Sequence, residues 1–230
     1  MEQFTLEVMQ AINDWQRGGD HNQKVRRGER LKEVSLLLEK KYRVCNQLCY
    51  RQEAHDEPRL WSLLADNCLP ETIAAWTIDE QLAKNFKGGV APEHLLALIF
   101  SHNPKDIEVI INLNTVYASE EFLCAIEKYR QQIIGYYSGI DKYKDTQKEV
   151  VLELNNLDTS DILYLGGYSG TLEDLAILNG SKTPDETLKF QQRIKELEVE
   201  PKMPWWLSSN GTQNVLERVK PKVLDLKGRK

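Results

Sequence analysis

Apolar residues recur every three or four positions at the start of the chain, at Phe4, Val8, Ile12 and Trp15, and again after the Gly18-Gly19 break at Leu31, Val34 and Leu38. That period marks one face of an α-helix, so two helices are expected, the second ending near Arg43 or Val44. Residues 47–52 and Ile73–Thr77 then read as short strands, with a polar turn over 53–59 and a small helix over 60–65 between them. Thr77-Ile78-Asp79-Glu80 matches a capping box and predicts a helix running to Phe86, stopped by Lys87-Gly88-Gly89. Pro92 sits at a first-turn position, and Leu95, Leu96, Ile99 and Phe100 predict a further helix over 92–101.

Residues 109–113 read as a strand. Phe122, Ile126, Tyr129 and Ile133 fall at i, i+4, i+7 and i+11, which predicts an amphipathic helix over 119–134. A loop rich in tyrosine and glycine leads to two apolar runs, 149–154 and 162–165, expected as neighbouring strands joined by a polar turn. A short helix is predicted over 171–178, and Thr183-Pro184-Asp185-Glu186 opens a helix to about residue 198. Trp205-Trp206 reads as a cap on the edge of a core. The pattern describes an α+β chain with an N-terminal helical lobe (1–45), a mixed core (46–168) and a helical C-terminal extension (169–230).

Composition changes this picture little. With 230 residues, 41% hydrophobic and 28% charged, the chain has the makeup of a folded protein with one principal domain. The net charge of -5 excludes an overall electrostatic footprint for nucleic acid. Lys24, Arg26, Arg27, Arg30 and Lys32 form a local basic cluster, of the kind that usually lies on a solvated helix face. Four cysteines include no Cys-x-x-Cys, and the four histidines are scattered, so neither a zinc site nor a disulfide framework is expected. The N-terminus lacks the features of a signal peptide and no run is long enough to span a bilayer, so a cytoplasmic location without membrane attachment is expected.

Several residues carry candidate chemistry, each beside a plainer reading. Arg51, on the first strand, offers a guanidinium fork for a dinucleotide phosphate, against the commoner role of a solvated strand-end arginine. Arg43 competes with it but falls at a helix end. Thr77 stands where a strand meets a helix, and its hydroxyl serves either a site or an N-cap. Gln147 and Glu149 are two apart and would share a face of a strand. A carboxylate there suits an oxocarbenium-like transition state, because positive charge develops on ribose as a glycosidic bond breaks. Gln147, Glu149, Val151 and Glu153 share one parity, so a half-solvated strand also explains two of these polar residues and, taken alone, is the commoner case. Tyr136, Tyr137 and Tyr143 could receive a target or stack on a base. The glycine pairs form neither a Gly-x-Gly-x-x-Gly nor a Walker loop.

Taken in order, these features run strand-Arg, strand-Thr followed by a helix and Phe, then Gln-x-Glu. In that order the chain resembles the mono-ADP-ribosyltransferases of the Arg-Ser-Glu class, particularly the small phage-encoded enzymes and bacterial toxins with a Gln-x-Glu motif. The resemblance covers about residues 47–165. Leu48-Cys49-Tyr50-Arg51-Gln52 is similar to the family's Arg-Gly strand. The segment 74–86, with Ala83 and Phe86, is similar to its Ser-Thr-Ser strand and helix, 108–113 to its next strand, and 146–152 to its Gln-x-Glu-Val-Leu-Leu element. Gln52 replaces the usual glycine, Ala75 replaces the usual first serine and so lacks its hydroxyl, and 92–101 is an insertion.

The resemblance implies an ADP-ribosyltransferase-like fold, a split pair of mostly antiparallel sheets, with NAD as substrate and no metal. It implies that Glu149 acts at the ribose, that Gln147 orients the acceptor, and that Arg51, Gln52, Thr77 and Phe86 bind NAD. The implied reaction transfers ADP-ribose to a protein side chain. Gln at position 147 goes with asparagine, glutamine or guanine acceptors in that family, so guanine in nucleic acid is a rival acceptor. Simple NAD glycohydrolysis and a non-catalytic interaction module of the same fold also fit these residues.

Overall fold

The computed structural model describes residues 2–66, 71–90, 95–144, 146–157, 159–167, 173, 176–177, 179–196 and 205–228. Its strands are β1 (Cys49–His55), β2 (Ile73–Thr77), β3 (Leu96–His102), β4 (Val109–Asn112), β5 (Glu149–Glu153), β6 (Ile162–Gly167) and β7 (Trp205–Trp206). Its helices are α1 (Leu6–Gln16), α2 (His21–Ser35), α3 (Glu57–Asp66), α4 (Glu80–Asn85), α5 (Leu113–Tyr117), α6 (Glu120–Tyr129), α7 (Ile140–Tyr143), α8 (Pro184–Glu196) and α9 (Ser209–Gly228). The strand pairings of β2 with β1 and β5, of β4 with β5, and of β6 with β3 and β7 are antiparallel, so the α+β class holds. The chain falls into two units, one of residues 1–51, 67–83 and 101–161, the other of 52–66, 84–100 and 162–230.

In the first unit the strands run in the order β4, β5, β2, β1. Helix α1 begins where Thr5 Oγ1 accepts the Val8 amide, and α2 begins with a full capping box between Asp20 and Gln23. Phe4, Val8 and Ile12 join Leu31 and Val34 in a core that includes Ile73, Ile111 and Val151. Phe4 lies edge-on between Tyr42 and Phe122, with ring centroids 5.1 and 5.2 Å away. Helix α2 stops at Ser35, short of the expected end near Arg43. Leu36 and Leu37 turn outward, and a 3-10 turn at Lys40–Arg43 returns Tyr42 to the core.

The buried polar residue Asn13 ties α1 to the tyrosine-rich loop. Its Nδ2 donates to the Ile134 carbonyl at 3.0 Å, and its Oδ1 accepts the Ile140 amide at 3.0 Å. Gly139 makes this approach feasible, since a Cβ there would sit 2.4 Å from Asn13 Oδ1. The loop interrupts the amphipathic stripe, so α6 ends at Tyr129 instead of reaching 134, although Ile133 still reaches the core.

In the second unit β3 pairs with β6 and β6 with β7. Residues 96–101, expected within a helix over 92–101, belong to β3, with Leu98 opposite Leu165 and Ile99 opposite Tyr164. Ala97, Leu98 and Ile99 are wholly buried, and an apolar run buried on both faces carries no period that separates strand from helix. Pro92 lies outside the described residues. Strands β5 and β6 are not neighbours as expected, because β5 is flanked by β2 and β4 while β6 is flanked by β3 and β7. Gly166 lets the Trp206 ring lie against β6, where a Cβ would come within 2.6 Å of it, and Trp206 Nε1 donates to the Lys84 carbonyl at 3.1 Å. Helix α9 anchors to β6 through Thr212 Oγ1, which accepts the Leu165 amide at 3.0 Å. The capping box at Thr183 and Glu186 closes in both directions and opens α8 as expected. The expected helix over 171–178 lies mostly outside the described residues.

Asn13→Ala strands the buried Ile140 amide, while the Ile134 carbonyl keeps Gln10 Nε2 at 3.1 Å, and should destabilise the protein by roughly 1–3 kcal/mol. Lys128→Ala, which removes an exposed ion pair with Glu2, should change stability far less. Denaturant unfolding of the two variants against wild type checks the contrast.

Candidate active site at the head of strand β5

Strand register gathers residues that are distant in sequence. Thr77, the last residue of β2, is the Cα partner of Tyr50 on one side and of Glu149 on the other. Arg51 follows Tyr50, so Arg51, Thr77 and Glu149 stand at one end of the adjoining strands β1, β2 and β5. The guanidinium turns back along β2, where Nη1 donates to the Ala75 carbonyl at 2.7 Å and Nη2 lies 4.0 Å from Glu71 Oε2. Its side chain is only 17% exposed, so the solvated reading of Arg51 fails.

Glu149 is 5% exposed, and Val150, Val151 and Leu152 behind it are fully buried. The half-solvated strand reading of this segment therefore fails as well. Trp15, near the end of α1, donates its indole N–H to Glu149 Oε1 at 2.5 Å. Asn114 Nδ2 donates to the Glu149 carbonyl at 3.1 Å, which holds the strand head against α5. Burial pushes the Glu149 carboxyl from the ordinary 4.5 up to about 7, while the Trp15 hydrogen bond and the positive charge of Arg51 pull it down.

Gln147 does not share a strand face with Glu149. Lys148 between them has φ +44, a left-handed conformation, and Gln147 lies in the turn before β5, so strand alternation begins only at Glu149. The Lys148 carbonyl accepts the Ile78 amide at 3.1 Å, and its ammonium lies 2.7 Å from Asp79 Oδ2. Asp79 also caps α4, its Oδ1 accepting the Gln81 and Leu82 amides at 3.0 Å. The expected cap was Thr77, whose hydroxyl instead accepts the Asp79 amide at 3.2 Å in a turn one step earlier.

Gln52 and Phe86 belong to the second unit. Gln52 Nε2 donates to the Gly89 carbonyl at 2.6 Å. Phe86 sits in a 3-10 turn (Phe86–Gly88) and is 39% exposed, whereas Ala83 in the preceding helix is buried. Tyr136 and Tyr137 pack edge to face and line an open hollow of about 720 Å³ with Arg130 and Ile133. In the basic cluster, Lys24 lies 3.9 Å from Glu71, Arg27 donates to the Gly18 carbonyl, Arg30 pairs with Glu7 and Glu33, and Lys32 pairs with Glu153 at 2.7 Å. Among the described residues no group of three or more His, Cys, Asp or Glu could hold a metal ion, and no helix is long and apolar enough to cross a membrane.

Trp15, Glu71 and Asn114 are site residues that sequence reading missed. Trp15 carries one signal, since a tryptophan on a buried stripe needs a partner for its N–H, but nothing in the sequence points to Glu149. Comparison with protein-family models, with curated proteins and with solved structures finds no match.

Because its folded-state pKa lies above the ordinary value, Glu149 holds its proton more tightly folded than unfolded. Its contribution to stability is full below pH 4.5 and is lost as pH rises through about 7. The loss amounts to about 3 kcal/mol above pH 8. Glu149→Gln keeps an acceptor for Trp15 without the charge, so it should be more stable than wild type at pH 8 by up to about that amount and nearly equal at pH 4.5. Paired denaturation curves at the two pH values decide; a variant less stable at pH 8 would contradict the buried ionised carboxylate.

Proposed function

We propose that the chain is an NAD-dependent mono-ADP-ribosyltransferase, with an ADP-ribosyltransferase-like fold, that passes ADP-ribose to a protein side chain. The observation that carries this reading is the register Tyr50, Thr77, Glu149, which brings the backbone of Arg51, the Thr77 side chain and the buried Glu149 carboxylate to one end of three adjoining strands, the Arg51 guanidinium turning back along β2 to the Ala75 carbonyl. The pKa of Glu149 adds to it, because strongly shifted carboxyls concentrate at sites where chemistry needs them.

In this mechanism Arg51 binds the pyrophosphate of NAD through charged hydrogen bonds, and Thr77 supports the nicotinamide ribose. The C1′–N bond breaks with its electron pair passing to the nicotinamide nitrogen, which leaves as neutral nicotinamide. Positive charge spreads over C1′ and the ring oxygen. Ionised Glu149 hydrogen bonds the 2′-hydroxyl and stabilises that charge. Gln147, in the turn ahead of β5, orients an acceptor whose nitrogen or oxygen bonds to C1′ and gives up its proton to the solvent. A protein acceptor is preferred over guanine because four of the five basic residues on α2 are engaged within the chain and do not form an open phosphate-binding stripe.

The reaction needs the carboxylate ionised, so turnover should rise through about pH 7. Wild type incubated with labelled NAD, a cell lysate, DNA and RNA should label protein. Glu149→Gln should lower kcat at least ~100-fold, and Arg51→Lys, which keeps the charge but loses the fork, should raise the KM for NAD roughly tenfold. Label transfer by both wild type and Glu149→Gln, or by neither, overturns the assignment. Label on nucleic acid that falls steeply with salt moves the acceptor to guanine, and nicotinamide release without label makes the protein a glycohydrolase.

A further inference from the structure

The indole of Trp15 reaches Glu149 from outside the strands. Its N–H is donor only, so it favours a carboxylate with an unprotonated oxygen facing it. The link is also well placed. Trp15 sits one residue before the end of α1, which Asn13 fastens to the 134–140 loop and Gln16 fastens to Tyr117, whose hydroxyl donates to Gln16 Oε1 at 2.7 Å. Gly28 of α2 backs the ring: a Cβ there would come 3.3 Å from Trp15 Cζ3 and 3.0 Å from Ile73 Cγ2.

We propose that Trp15 is a positioning residue, whose indole N–H fixes Oε1 of Glu149, sets the plane of the carboxylate and stabilises its anionic form for attack on the NAD ribose. This role rests on the transferase reading above. The donor that reaches Oε1 is Trp15 Nε1 at 2.5 Å; the Thr77 hydroxyl accepts the Asp79 amide, and position 75 is an alanine with no hydroxyl. Around Glu149 the charged groups are Arg51 from β1, with Glu71 beside it, and Lys148 from the preceding turn, held by Asp79 from the start of α4; Lys32 of α2 and Glu153 pair with each other at the far end of β5.

The test uses Trp15→Phe and, as a near-isostere without the N–H, benzothienylalanine incorporated at position 15 of the full chain. Two readouts are taken on each: the Glu149 carboxyl titration by carbon NMR, and the pH profile of NAD cleavage. Loss of the donor should move the titration midpoint upward by about one unit and carry the rising limb of kcat with it. At neutral pH kcat should fall about fivefold while the KM for NAD changes less than about twofold. If the benzothienylalanine protein, with an unchanged melting temperature, titrates and turns over like wild type, Trp15 has no positioning role, even where Glu149→Gln remains inactive. Wild type that is inert toward NAD overturns the reaction itself and this role with it, and the NMR titration, which needs no turnover, separates that failure from the first.

Discussion

Burying a carboxylate at the head of a strand costs several kcal/mol unless neighbours favour its ionised form, and the first unit is arranged around that cost at Glu149. The strand behind it is buried on both faces between β2 and β4, so the glutamate cannot turn outward without uprooting Val150 to Leu152. What offsets the desolvation is one neutral donor, the Trp15 indole, and one nearby cation, Arg51. The offset is incomplete, and the carboxyl stays poised near neutrality. A residue kept at such expense, where a glutamine would pack equally well, is hard to explain by stability alone.

That poise depends on helices far from β5 in sequence. Helix α1 brings Trp15 to the carboxylate only because its orientation is set at several points: Asn13 on the loop, Gln16 on Tyr117, and the apolar stripe on α2 and α6. Two glycines permit the close approaches, Gly139 beneath Asn13 and Gly28 beneath the indole. The N-terminal helices are thereby part of the site's structure as well as of the core.

Backbone strain falls at the same place. Lys148 adopts a left-handed conformation immediately before Glu149, an arrangement that costs a non-glycine residue on the order of 1 kcal/mol. The Ile78 amide and the Asp79 carboxylate hold it there. The turn ends the strand sharply, so that Glu149 is the first residue with strand geometry while Gln147 remains in the loop ahead of it.

Local patterns determined what depends on near neighbours. The stripes of α1 and α2, the strands at Ile73–Thr77 and at the head of β5, and the capping box of Thr183 and Glu186 were readable because hydrophobic period and N-capping act over a few residues. The order of Arg51, Thr77 and Glu149 along the chain was readable too. Tertiary structure alone decided whether they meet, through the register that sets Thr77 between Tyr50 and Glu149. It also made 96–102 a strand, because an apolar run covered on both faces takes its form from its partners. And it decided that Glu149 is buried while Glu153, on the same strand, is partly solvated and pairs with Lys32. The same residue type at the same alternation carries no mark of which one an indole will cover, because the covering residue comes from a helix more than a hundred positions earlier in the chain.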